Sequence, residues 1–187
     1  MTSHSVWHTV YDASPSCSSS ALREAAEGAR GRVDDAVVER AETVVNAISI
    51  QVGRTGALTP VDERDAERAA VIVSALGRVD VGQGAVVQQG LCLAVEALPG
   101  TDAMLAGIAG LGALRPDAAR GRGVFFKAPK PSQDRRIDLP TIGPETVARV
   151  AEAGLGGIAW EAGGVITLDL PDMRRRAGDA GLFLWAR

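Results

Sequence analysis

Of the 20 basic residues in this 187-residue chain only Lys127 and Lys130 are lysines, and they stand three positions apart. A lysine ammonium is a compact, strongly hydrated charge on a flexible stem, unlike the planar guanidinium used elsewhere in the chain. Two such groups together suit a site that places charge on phosphoryl oxygens; the bland alternative is a pair of solvated loop lysines. They open a stretch, Lys127 to Glu145, that leaves a strand, crosses a loop stiffened by Pro129, Pro131 and Pro140, and ends in a helix's first turn. α/β proteins commonly hold ligands at such a place. Asp138 lies in the same loop, ahead of the helix expected at Pro144. Free N–H groups at a helix amino terminus favour an anion, and Thr141 adds a hydroxyl donor. A carboxylate beside a phosphate repels it unless a divalent cation lies between them. Magnesium is the expected ion, because it combines one or two carboxylates with phosphate oxygens and water. The plain alternative makes Asp138 a turn or capping aspartate. Two further acids, Glu96 late in a strand and Asp102 after Gly100-Thr101, are candidates for a second metal ligand or for orienting water. As ordinary residues they would be a solvent-facing strand glutamate and a dipole-favoured first-turn aspartate.

The elements around these residues follow from periodicity and punctuation. Residues 1–20 are polar and serine-rich and are expected to form a disordered leader. Residues 21–58 carry apolar positions at helical spacing, from Leu22 through Val33 and Val37 to Ile48, in a helical segment that packs on something unspecified. Gly53, Gly56 and Pro60 bracket a turn. Thr59-Pro60 reads as N-cap and first helical position, with Val61, Ala66, Ala69, Val73 and Leu76 as the buried stripe and Gly77 as the stop. From there short strands alternate with helices. Strands at 85–88 and 91–97 form a hairpin about Gln89-Gly90, and Thr101 caps a helix from Asp102. A strand at 124–128 precedes a helix at 144–153 closed by Gly154. A second hairpin joins 157–162 to 165–168 about Gly163-Gly164, and a helix at 171–180 and a strand at 182–186 close the chain. The expected fold is α/β: one compact domain, residues 59–187, with a mixed sheet flanked by helices.

Composition excludes several chemistries. The only histidines, His4 and His8, fall in the leader, so the folded part is expected to hold no imidazole. Ser-His-Asp and Cys-His schemes and ordinary zinc sites are then out of reach. Cys17 and Cys92 are too far apart in sequence for a metal or redox pair, and Cys92, between Leu91 and Leu93, reads as a buried structural thiol. Between Arg115 and Arg136 seven cations oppose only Asp117 and Asp134, a local excess in a chain of net charge −3 that suggests an anionic partner. Aromatic interleaving for nucleic acid is missing. No stretch is long and apolar enough for a membrane span, and the amino terminus lacks the pattern of a secretory signal, so a cytoplasmic protein is expected.

Several blocks in order resemble the LpxI-type UDP-2,3-diacylglucosamine pyrophosphatases. They are Gly77-Arg78-Val79-Asp80-Val81-Gly82-Gln83-Gly84-Ala85-Val86-Val87, then Leu93-Ala94-Val95-Glu96-Ala97 with Gly100-Thr101-Asp102-Ala103-Met104-Leu105, the loop 127–143, and Ala153-Gly154-Leu155-Gly156-Gly157-Ile158. The resemblance covers about two thirds of the chain. It implies hydrolysis of the substrate pyrophosphate to UMP and 2,3-diacylglucosamine 1-phosphate (lipid X) in lipid A biosynthesis. It also implies dependence on Mg²⁺, with Mn²⁺ as an alternative ion, and work in the cytoplasm at the periphery of the inner membrane. The family's catalytic aspartate matches Asp138 in Asp-Leu-Pro-Thr. Motif position and chemistry add Lys127, Lys130, Thr141, Thr101 and Gln133 as contacts to substrate phosphates, and Asp102 and Glu96 as metal ligands beside Asp138. Family members carry a preceding Rossmann-like domain that residues 1 to about 58 do not resemble. A homo-oligomer or separate subunit completing the site is therefore expected. The competing function is a truncated, non-catalytic remnant that binds nucleotide-sugar phosphates or complements a partner.

Overall fold

A computed structural model describes residues 53–131, 133, 135 and 138–187, all within one compact unit. The leader and most of the helical segment expected before them lie outside the described residues, as do Ser132, Asp134, Arg136 and Ile137.

The first described helix, α1 (Pro60–Arg78), begins where the sequence says it should. Thr59 and Asp62 form a capping box: the Thr59 hydroxyl accepts from the Asp62 amide, and the Asp62 carboxylate accepts from the Thr59 amide at 3.0 Å. Ala66, Ala69 and Val73 form its buried stripe. A hairpin follows, β2 (Gly84–Gln88) and β3 (Leu91–Val95), while β1 (Gly53–Thr55) precedes α1 as a short strand where a turn was expected. Gln89 and Gly90 both have positive φ (51° and 78°), the backbone of a two-residue turn matching strand twist. Helix α2 (Gly100–Ala109) leads through two 3-10 turns, Gly112–Leu114 and Ala118–Arg120, to β4 (Val124–Lys127). Then come β5 (Thr141–Ile142), α3 (Pro144–Glu152), β6 (Gly157–Trp160), β7 (Ile166–Thr167), α4 (Leu170–Asp179) and β8 (Phe183–Ala186).

Six strands form one mixed sheet in the order β1-β8-β6-β4-β2-β3. Strands β4, β6 and β8 are mutually parallel; β1, β2 and β3 pair antiparallel with their neighbours. Alternation along the strands feeds two cores. Phe126, Val124, Ala85 and Val87 pack beneath α1, while Phe125, Val86 and Ile158 pack against Leu105, Val147 and Met173 from α2, α3 and α4. The result is three layers, with one helix on one face and three on the other.

Two expectations about this sheet need correction. Residues 157–168 do not form a hairpin: β7 leaves the sheet and pairs in parallel with β5 in a separate two-stranded ribbon. The reason is geometric, since both hydrogen-bonding edges of β6 are already taken by β4 and β8. Cys92 is exposed rather than buried, because β3 is the edge strand and its residues are covered on neither face as fully as those of β2.

Candidate functional site

The topology sends three helices away from one edge of the sheet. Strands β4, β6 and β8 all end there, and so does β3, which runs antiparallel to β2 and hence in the sense of β4. Helices α2, α3 and α4 start from that edge, the side on which open α/β sheets place ligands.

Lys127 is the last residue of β4. Two positions beyond Phe125, it belongs to the face that carries α2, and it is only 5% exposed. Its ammonium donates to the Thr101 hydroxyl at 2.6 Å and to Glu96 Oε2 at 3.4 Å, and Thr101 in turn donates to the same oxygen at 3.0 Å. Each partner comes from a different element. Thr101 is in the first turn of α2. It does not cap that helix as expected, because the helix starts two residues earlier than Asp102, at Gly100 after Pro99, with no side-chain capping hydrogen bond. Glu96 follows β3, held by its own amide to the Gly84 carbonyl at 2.8 Å. The space its carboxylate fills exists because residue 84 is glycine: a Cβ there would lie 2.6 Å from Glu96 Oε2.

Burying a charge pair is costly unless the pair is close and its remaining hydrogen-bonding capacity is met. Here the side chains are 6% and 11% exposed, and the bridging hydroxyl satisfies both ions. An ammonium has three N–H donors. Two are engaged by Thr101 and Glu96, which leaves one for an incoming oxygen. The first-turn amides of α2 lie beside it without a side-chain cap, adding partial positive charge at the same spot.

Lys130 is held separately. Its ammonium pairs with Asp80 at 2.6 Å, and its backbone amide donates to Gln133 Oε1 at 3.1 Å. The close of α1 supports this loop, since a Cβ on Gly77 would lie 2.7 Å from Pro131. The two lysines therefore sit near one edge but do not share a partner. Downstream, Arg135 pairs with Glu161 at 2.7 Å, and the Pro140 carbonyl accepts from the Ile166 amide, tying the loop to the β5–β7 ribbon. Asp138, just ahead of that tie, is exposed, as are Thr141 and Asp102, and none of the three has a side-chain partner among the described residues. Thus the sequence candidates Lys127, Thr101 and Glu96 come together; Lys130 and Gln133 form a second group; Asp138, Asp102 and Thr141 present free polar groups to solvent. Asp80 and Gly84 were not singled out for these roles, although the Gly-x-Gly at 82–84 at the mouth of a strand signals a close approach.

Among the described residues no three acids, histidines or cysteines gather into a group able to hold a metal unaided. Magnesium needs less than that, since substrate oxygens and water complete its shell. Glu96 does not suit the role because its carboxylate is committed to Lys127 and Thr101. The exposed carboxylates of Asp138 and Asp102 fit it by donor type.

The LpxI C-terminal domain family matches residues 51–185. Over 154 residues the chain is 46% identical to the UDP-2,3-diacylglucosamine pyrophosphatase LpxI of Caulobacter vibrioides, in an alignment covering 79% of this chain and 54% of that protein. The chain spans about half the length of this curated relative.

Proposed function

The chain belongs to the LpxI family through its C-terminal domain, and from that premise we propose that it hydrolyses the pyrophosphate bond of UDP-2,3-diacylglucosamine to UMP and 2,3-diacylglucosamine 1-phosphate in lipid A biosynthesis. The observation that carries the proposal is Lys127: a buried ammonium, oriented by Thr101 and Glu96, with one N–H unclaimed at the carboxyl edge of the parallel strands. A preorganised cation of this kind stabilises charge that develops on a phosphoryl oxygen, and it does so without reorganising during the reaction.

Each residue then has a task. Lys127 and the first-turn amides of α2 bind phosphate oxygens. Lys130, loosely held by an exposed Asp80, swings onto the second phosphate. Asp138 orients the attacking water and accepts its proton while the bridging P–O bond breaks and the departing phosphate takes the electron pair. Mg²⁺, held by Asp138 with Asp102 as the second candidate, supplies charge neutralisation on the diphosphate when bound. The substrate's nucleotide and acyl chains are gripped by a further domain or a partner subunit, in keeping with the half-length match to the relative. No described helix is long and apolar enough to cross a membrane, and the working location proposed is the cytoplasm, at the periphery of the inner membrane.

The test is UMP release from UDP-2,3-diacylglucosamine by the purified chain with Mg²⁺ or Mn²⁺, followed by ³¹P NMR. Asp138→Ala and Lys127→Met should each lower kcat by about 10²–10³-fold, the loss typical of removing one stabilising group. The half-length match also motivates a second reading, a non-catalytic binder of nucleotide-sugar phosphates. No UMP release, together with unaltered substrate binding by Asp138→Ala, would establish that reading in place of the first.

A further inference from the structure

Most arginines among the described residues are engaged: Arg78 donates to Ser74 Oγ, Arg187 lies over the Trp185 ring, and Arg174 also has a partner. Arg135, Arg149, Arg175 and Arg176 pair with carboxylates, and Arg115 and Arg122 donate to carbonyl oxygens. Arg64, Arg68 and Arg120 have no hydrogen bond or ion pair among the described residues. All three line a single cleft of about 360 Å³. Arg64 and Arg68 stand one turn apart on the exposed face of α1, and Arg120 closes the second 3-10 turn. Like charges four residues apart weaken a helix, so α1 gains nothing for itself from the pair.

The cleft contains one carboxylate, and it does not neutralise them. Asp65 is 1% exposed, and its two oxygens already accept the amides of Gln89 and Gly90 at 2.8 and 2.7 Å, which anchors the hairpin turn to α1. A neighbouring cleft of about 310 Å³ shares Val61 and Arg120 with the first and extends it past Gly121 towards Thr59. Both lie at the opposite end of the strands from Lys127, since Val87 and Val124 pair at one end of the β2–β4 ladder and Gly84 and Lys127 at the other. The length of β4 separates the two regions by roughly 10 Å.

We infer that this cleft binds a phosphate-bearing anion through the forked donors of Arg64, Arg68 and Arg120. Guanidinium groups match phosphate oxygens in pairs, and three uncommitted ones around one concavity of this size make a ligand site rather than a solvated face. The site is additional to the hydrolytic one proposed above and does not depend on it. Its phosphate could be that of a soluble diphosphate or of an anionic lipid headgroup, and two titrations separate these sources.

The full chain is titrated with inorganic pyrophosphate, following arginine Nε–Hε resonances and heat. In parallel it is co-sedimented with phosphatidylcholine vesicles containing phosphatidylglycerol. Arg64→Gln, Arg68→Gln and Arg120→Gln should each weaken binding about tenfold, as expected for a lost charged hydrogen bond, while Lys127→Gln leaves the cleft's affinity in place. Arginine-to-lysine variants, which keep the charge and lose the fork, serve where a glutamine variant fails to fold, and they too should bind more weakly. Pyrophosphate bound with the arginine dependence assigns a soluble ligand; vesicle binding alone with that dependence assigns a headgroup. Binding of neither, or pyrophosphate binding abolished by Lys127→Gln and indifferent to the arginines, overturns the inference.

Discussion

The buried ion pair of Lys127 and Glu96 is the most consequential arrangement at the scale of single residues. Both side chains are about nine-tenths buried and share one hydroxyl. Removing one member of such a pair strands the other charge, so Glu96→Ala should lower the stability of the chain by about 3–5 kcal/mol in urea unfolding. Thr101→Val should cost less, about 1–3 kcal/mol, because the ions keep each other and lose only the bridge. A loss from Glu96→Ala no larger than that from Thr101→Val would show that the pair is solvated. Cys92 permits a second residue-level test. Partial burial pushes its thiol above the ordinary value, against the opposing effects of Arg68 and of a backbone hydrogen bond involving Ala94. The thiolate is the reactive form, so alkylation by iodoacetamide at neutral pH should be slower than for an unhindered peptide thiol. Its pH midpoint should lie to the alkaline side of that reference.

Among the elements, the β2–β3 hairpin depends on α1 as much as on its own turn. Asp65 reaches from the helix to both turn amides, and its replacement leaves two donors without partners. Asp65→Ala should therefore cost about 2 kcal/mol or more, with the loss of protection concentrated at Gln89 and Gly90 in amide exchange. Gln89-Gly90 and Thr59-Pro60 were both legible in the sequence, because a turn that needs positive φ and a helix start that needs a cap are local requirements. Helix α4 offers a pH test. Arg175 and then Arg176, hydrogen-bonded to Asp172, hold its carboxyl below the usual aspartate value. A depressed folded value means that the contribution to stability is present above the unfolded value and is lost as pH falls through the folded one. In a ¹³C-detected titration Asp172 should protonate below the ordinary aspartate range, and Arg175→Gln should move its midpoint upward.

At the scale of the whole molecule, stability should be graded across the sheet. Strands β4 and β6 have partners on both sides and helices on both faces, whereas β3 and β1 are edges. Hydrogen exchange should be slowest in residues 124–127 and 157–160 and fastest in β1 and β3. Equal protection in an edge strand would indicate a partner covering it in solution. The same organisation gives the described domain two chemically different ends. One collects both lysines, helix amino termini and free carboxylates; the other collects uncommitted arginines. The net charge of −3 conceals both.

The sequence by itself determined the order and kind of most elements, the α/β class and the identity of the family, because caps, turns and alternation are local and the motif blocks are contiguous. It also determined that residues 53–187 themselves contain no histidine. Tertiary structure alone decided who meets whom. The partnership of Lys127 with Glu96 and Thr101 joins residues 26 and 31 positions apart, and no periodicity encodes that distance. Likewise β7 is turned away from β6 only because two other strands arrive first at its edges, and Cys92 is exposed only because β3 happens to be last in the sheet. Edge and centre are properties of the assembled sheet, and a strand's own residues do not contain them.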